Sequence, residues 1–281
     1  MASEQPPLLE INHVTKAYKG LMALDDVSLR VPRGTVHAIV GEAGAGKTTL
    51  MKILGGFVRA GDYSGQIRLA GEALKLRSAA DALRAGIAIV PRKVAILENC
   101  SVAENIALSS SQVRRSFWMS READYTASQQ LLHDWSIDID PAASVRSLGP
   151  LQRRLLMIAR GLAVNPKLIV LDEPLTDVAG FHATAQLLRF VRRMAEHGLA
   201  CLYLTQRVPD ALVVANTITA LRDGRVVDTW QGPAFDADAI AAALPGSRAG
   251  LANPTADDFG ESGGMFGPLN EYFNRIMRPM E

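Results

Sequence analysis

GEAGAGKTTL, residues 41–50, joins an apolar run ending at Val40 to a run of helix formers through a turn built almost entirely from small side chains. Gly41, then four residues, then Gly46, Lys47 and Thr48 have the spacing of a phosphate-binding loop. In such a loop successive backbone N–H groups point inward at phosphate oxygens from a helix N-terminus, and the small residues let them approach. Gly41, Glu42, Ala43, Gly44, Ala45, Gly46 and Thr49 are the candidate backbone donors, Lys47 the side chain that bridges the β and γ phosphates, and Thr48 the hydroxyl that ligates a metal ion. The order of strand (Thr35 to Val40), loop and helix ending at the Gly55–Gly56 pair predicts an α/β fold around a buried sheet.

Outward from the loop, LLEINHVTKAY and LDDVSLRVPRGTVHAIV alternate apolar and polar residues with turn residues between them, which predicts strands, and SGQIRLAGEAL adds another around a glycine turn. KLIVLDEP and LACLYLTQ are short apolar runs, as expected of parallel strands buried on both faces. The first ends on Asp172, placed to hold a metal, and Glu173, placed to polarise an attacking water as general base. The middle third, from SVAENIAL to QRRLLMIARGLAV, reads as helical throughout and forms a lobe inserted into the sheet domain.

With 48% hydrophobic and 21% charged residues and a net charge of +1, the chain is an ordinary globular one with no global field favouring nucleic acid. Cys100 and Cys201 are far apart in apolar surroundings, which fits a reduced, cytoplasmic setting better than a disulfide framework. The start, MASEQPPLLE, lacks a basic and apolar leader, and no window is long and apolar enough to span a bilayer. Any membrane role is therefore expected to run through a partner.

GEAGAGKTTLMKILGG, SVAENIAL, IARGLAVNPKLIVLDEP and LRDGRVV stand in one order, and over roughly residues 8 to 240 the chain resembles the nucleotide-binding subunit of an ABC transporter. GDYSGQI and GIAIVPRKVAILENCSVAENIAL make it most similar to the ATPases of monosaccharide importers of the xylose and ribose type. Those usually carry two such domains, and this sequence resembles the N-terminal one. The resemblance implies a P-loop NTPase with a RecA-like, mostly parallel sheet, a small antiparallel β subdomain and an inserted helical lobe. It implies ATP and Mg²⁺ as cofactors, Tyr18 stacked on adenine, and partners: a second ABC ATPase subunit, identical or not, a transmembrane permease and, indirectly, a binding protein. The implied location is the cytoplasmic side of the membrane, peripheral through the permease. A non-transport ABC ATPase is the alternative without a permease, but it would be expected to show tandem domains or long coiled-coil inserts.

Four motifs depart from the family pattern. The signature segment, usually Leu-Ser-Gly-Gly-Gln, reads LGPLQ: Gly149 lacks the hydroxyl, Pro150 has no N–H, and Leu151 is bulky where backbone should approach phosphate. Gln206 stands at the switch-histidine position, and an amide can donate a hydrogen bond but cannot relay a proton near neutral pH. Arg92 replaces a metal-ligating glutamine with a permanent cation, and Ala179 replaces an aspartate of the dimer interface, with Asp177 out of step. Because Lys47, Thr48, Asp172 and Glu173 are retained, the expectation is ATP binding with impaired hydrolysis, or a catalytically silent subunit that regulates or scaffolds the assembly.

The expected organisation is an ATP-binding domain over 1–244, with its helical lobe at about 96–163, a Gly/Pro-rich linker over 245–264 and an amphipathic tail over 265–281. Leu269, Tyr272, Phe273, Ile276 and Met277 would form one apolar helical stripe in that tail. In the lobe, Arg114, Arg115, Phe117, Trp118 and Met119 lie near the surface that family members offer to a permease.

Overall fold

The computed structural model describes residues 6–93, 96–111, 121–232 and 235–244. The linker, the tail and the segment holding Arg114 to Met119 lie outside these residues. In chain order the elements are β1 (Leu9–Tyr18), β2 (Leu21–Val31), β3 (Val36–Val40), α1 (Lys47–Leu54), β4 (Ser64–Leu69), β5 (Glu72–Ala73), α2 (Ala79–Ala85) and β6 (Ile87–Val90). The three helices α3 (Val102–Ser111), α4 (Arg121–Asp134) and α5 (Pro150–Leu162) follow. After them come β7 (Leu168–Asp172), α6 (Phe181–Glu196), β8 (Ala200–Thr205), α7 (Val208–Val214), β9 (Thr217–Arg222), β10 (Arg225–Gln231) and α8 (Ala237–Ala243).

The alternating N-terminal stretches pair antiparallel in a sheet of order β2-β1-β4-β5. The apolar runs form a second sheet of order β10-β9-β3-β8-β7-β6, parallel except for β10. Every residue of β3, β7 and β8 is buried, because helices cover one face and the antiparallel sheet with α1 covers the other. The strand alternation sorts the core accordingly. Val36, Ala38, Val40, Ile169 and Leu171 pack towards α5, α6 and α7, while Ile39, Leu168 and Val170 pack towards α1 and the antiparallel sheet.

The middle third is less helical than its sequence suggests. After α4 the chain leaves the helix at Trp135, and the stretch up to Leu148 holds only one 3₁₀ turn, Val145–Ser147, and an isolated bridge between Ser101 and Ser144. Pro141 and the aspartates around it favour turns over continuous helix, since the Asp140 side chain accepts from the Ala142 N–H at 2.8 Å. Trp135 packs edge-on to Phe190 of α6 at 6.5 Å between ring centroids, so this loop fastens the helical segment to the sheet domain.

His37, on β3, is buried between the sheets. One ring nitrogen meets the Arg30 carbonyl at 2.9 Å and the other the Thr219 hydroxyl at 2.8 Å. Burial, partly opposed by the Arg30 hydrogen bond, pushes its pKa down to about 4, so it serves as a neutral spacer. Among the described residues no helix is long and apolar enough to cross a membrane, and both cysteines are free thiols.

Candidate functional site

The parallel strands β3, β7 and β8 run in register, pairing Val40 with Thr205 and Asp172 with Leu204. Their carboxyl ends therefore deliver the glycine loop, the acidic pair and Gln206 to one edge of the sheet, where open α/β folds bind ligands. The Gly41 N–H donates to the Thr205 carbonyl at 3.2 Å, and the Gly224 N–H to the Ala45 carbonyl at 3.1 Å, so the loop is tied at both ends. Gly46 caps α1 in the left-handed region at φ 110°, and a Cβ there would lie 2.6 Å from the Ala23 carbonyl oxygen.

A cleft of about 220 Å³ opens at this edge, lined by Ala23, Glu42, Ala43, Gly44, Gly46, Lys47, Thr48, Thr49, Arg92, Asp172, Glu173 and Gln206. Gly41 and Ala45 are buried behind it and contribute backbone rather than lining. Ala23, which the sequence did not single out, enters because β2 crosses over the loop. Tyr18 is not in the lining. It lies 41% exposed at the end of β1, with the Lys16 ammonium 4.8 Å from its ring centroid.

Lys47 is only 6% exposed. Its ammonium donates to the Gly41 carbonyl at 2.5 Å and the Glu42 carbonyl at 3.1 Å, and lies 3.7 Å from Glu173 Oε1, an ion pair longer than a hydrogen bond. Burial lowers its pKa, against the pull of Glu173 and Asp172. Burial, followed by the Glu173 charge, raises that of Asp172, against the cations Lys47, Arg92 and Arg154. Glu173 sits at φ 45°, a strained value for a side-chain-bearing residue, held there by its N–H donating to the Leu204 carbonyl at 2.9 Å. Its Oε1 is buried without a hydrogen bond.

The other departing positions stand apart from the cleft lining. Gly149 is the N-cap of α5 with Pro150 at the first helical position, and the Gly149 N–H donates to Gln152 Oε1 at 3.1 Å. Ala179 is exposed ahead of α6. A Cβ at Gly149 would meet only Gln152 Oε1, at 3.9 Å, and the backbone there is extended. Gly149→Ser is therefore expected to fold normally and to gain a few tenths of a kcal/mol as a better N-cap. A drop in thermal midpoint would contradict this.

Arg154, on α5, carries no sequence signal for its role. It is fully buried, donating to the Pro91 carbonyl at 3.0 Å and the Arg92 carbonyl at 2.9 Å, and it meets Asp177 at 3.3 Å. Asp177 thus serves a neighbour within its own chain. The same guanidinium fixes the backbone from which Arg92 reaches the cleft.

A parallel sheet that feeds a glycine loop into a helix N-terminus, beside an acidic pair on a neighbouring strand, defines the phosphate-loop nucleotide-binding class. Comparison with known proteins narrows it: residues 24–176 match the family model for ABC transporters. The chain is 36% identical to the xylose import ATP-binding protein XylG of Geobacillus kaustophilus (strain HTA426), over 80% of this chain and 44% of that protein. It is also 36% identical to a putative ribose/galactose/methyl galactoside import ATP-binding protein of Ralstonia nicotianae (strain ATCC BAA-1114 / GMI1000), over 89% of this chain and 48% of that one. A crystal structure of the ADP conformation of an ATP-binding cassette of an ABC transporter superposes with a TM-score of 0.72 at 22% identity, covering 80% of this chain and 91% of that one. The chain belongs to the ABC transporter family. It spans about half the length of the curated relatives it matches.

Proposed function

We propose that this chain is an ATP-binding subunit of an ABC importer for a monosaccharide, binding ATP between paired subunits to drive a permease, with impaired intrinsic hydrolysis. The observation that carries it is one cleft holding Lys47, Thr48, Asp172 and Glu173 together with Arg92 and Gln206. The sugar assignment draws on the relatives named as xylose and ribose/galactose import ATP-binding proteins.

In this reading residues 1–244 are the ATP-binding domain, with the helical lobe at about 96–163 facing the permease. Backbone N–H groups of residues 41–49 cradle the phosphates, Lys47 moves from its loop carbonyls onto the β and γ oxygens, and Tyr18 offers its exposed ring to the adenine. Thr48 and Asp172 fit a Mg²⁺ ion: both line the cleft, and each offers oxygen to a hard cation. Bound there, the ion would neutralise phosphate charge. Glu173 accepts a proton from the attacking water, and Gln206 donates a hydrogen bond to the terminal phosphate without taking up a proton.

The partners are a second ATPase subunit, a permease and, through the permease, a binding protein, at the cytoplasmic face of a membrane. Gln206 and Arg92, both lining the cleft, also favour a second reading, a catalytically silent subunit that regulates the transporter.

Co-purification with a candidate permease and an intact ATPase subunit, followed by ATPase assay, tests the proposal. The isolated chain is expected to bind ATP in the micromolar range with weak turnover, and the complex to hydrolyse ATP faster. Vigorous turnover by the isolated chain that collapses on Glu173→Gln would overturn the impairment, and failure to join any permease complex would overturn the transport role.

A further inference from the structure

Resting on the nucleotide site proposed above, we infer that the Arg92 guanidinium supplies the positive charge at the terminal phosphates that a divalent cation would otherwise bring, so that this chain binds ATP almost equally well with and without Mg²⁺. Arg92 lines the same cleft as Lys47, Thr48, Asp172 and Glu173. Its side chain is exposed towards the cleft opening, while its backbone is pinned by the buried Arg154 at 2.9 Å. Glu173 is engaged by Lys47 at 3.7 Å, and no carboxylate of a described residue lies within ion-pairing distance of the Arg92 guanidinium, which leaves its donors for a ligand.

Formal charge points the same way. Glu42, Asp172 and Glu173 carry three negative charges into the lining and Lys47 and Arg92 two positive ones. With an uncharged residue at position 92 the cleft would attract a divalent cation more strongly and repel free ATP more strongly. A planar guanidinium also binds phosphate through two parallel hydrogen bonds, a geometry an amide cannot match.

Calorimetric titration of the full chain with ATP, once in excess Mg²⁺ and once in excess EDTA, tests this. The two dissociation constants of the wild type are expected to agree within about threefold. The ratio of the two constants is expected to widen to at least about tenfold in Arg92→Gln and to stay within about threefold in Arg92→Lys, which keeps the charge. Position 92 is exposed, so these variants are expected to fold, and circular dichroism checks it. A wild type that loses about tenfold or more in EDTA, or an Arg92→Gln variant with the wild-type ratio, overturns the inference while leaving the nucleotide site intact. No ATP binding in either condition overturns both.

Discussion

Lys47→Ala lowers ATP affinity by about two to three orders of magnitude and leaves the fold in place. Each charge-assisted hydrogen bond to a phosphate oxygen contributes about 1.5–3 kcal/mol, and Lys47 is positioned to make two. Part of that gain is offset in advance, because the free protein already uses the ammonium on the Gly41 and Glu42 carbonyls. A net loss of about 3–4 kcal/mol remains, which is the stated range in dissociation constant. The freed Glu42 carbonyl belongs to an exposed residue that water reaches, but the Gly41 carbonyl is buried and loses its donor, so the thermal midpoint is expected to fall by a few degrees while the chain still folds. Titration with ATP and a melting curve check both parts; a variant that still binds within tenfold of wild type removes Lys47 from the phosphate-bridging role.

Asp210→Asn changes how stability depends on pH rather than how nucleotide binds. Asp210, on α7, is completely buried and neither carboxylate oxygen has a hydrogen bond. Arg207 Nε stands 3.1 Å away without hydrogen-bond alignment, on a side chain 53% exposed. Burial, with Glu173 adding to it against Arg207, pushes the carboxyl up to about 7. The folded chain therefore holds a proton that the unfolded chain releases near pH 4, and this contribution to stability is full below that point and lost as pH rises to about 7.

His37 acts in the opposite direction over nearly the same window. Its lowered value of about 4 means that the unfolded chain takes up a proton below pH 6.5 and the folded chain does not, so stability rises with pH between those values. In the wild type the two proton differences cancel and this part of the stability curve is flat between about pH 4 and 6.5. Of these two groups only His37 remains in Asp210→Asn, and its contribution climbs by about 1.4 kcal/mol per pH unit, on the order of 3 kcal/mol across the window. Denaturant unfolding of both proteins from pH 4.5 to 7.5 decides it: parallel curves would show that Asp210 does not hold the proton.

The loop and the two parallel strands were legible in the sequence because their signals are local. Gly41 to Thr48 is a spacing, and LIVLD or CLYLT is an unbroken apolar run whose length suits a buried strand. The cleft was legible to the extent that its members close strands or open the helix, as Asp172, Glu173, Gln206 and Lys47 do. Ala23 was not, because it enters only through the packing of β2 over the loop. Neither were Arg154 and Asp210: a charged residue on a helix reads as solvent-facing, and only tertiary packing turns each of them inward. The loop after Trp135 departs from the helix expected of the whole middle third because Trp135, Ile137 and Ile139 alternate with polar residues and turn chemistry follows at Asp140 and Pro141, local signals masked by the helical runs on either side.

The buried guanidinium of Arg154 joins three pieces of chain: the first turns of α5, the carbonyls of residues 91 and 92, and the loop carrying Asp177. The guanidinium itself is out of water, so parting it from the two carbonyls leaves a buried charge short of partners, whereas Asp177, 57% exposed, can turn to solvent. The tilt of α5 and the position of the cleft's lip at Arg92 are therefore tied together through one buried side chain. A shift of the helix end at Gly149 is expected to move the pocket lip, and a rearrangement of the lip to move the helix.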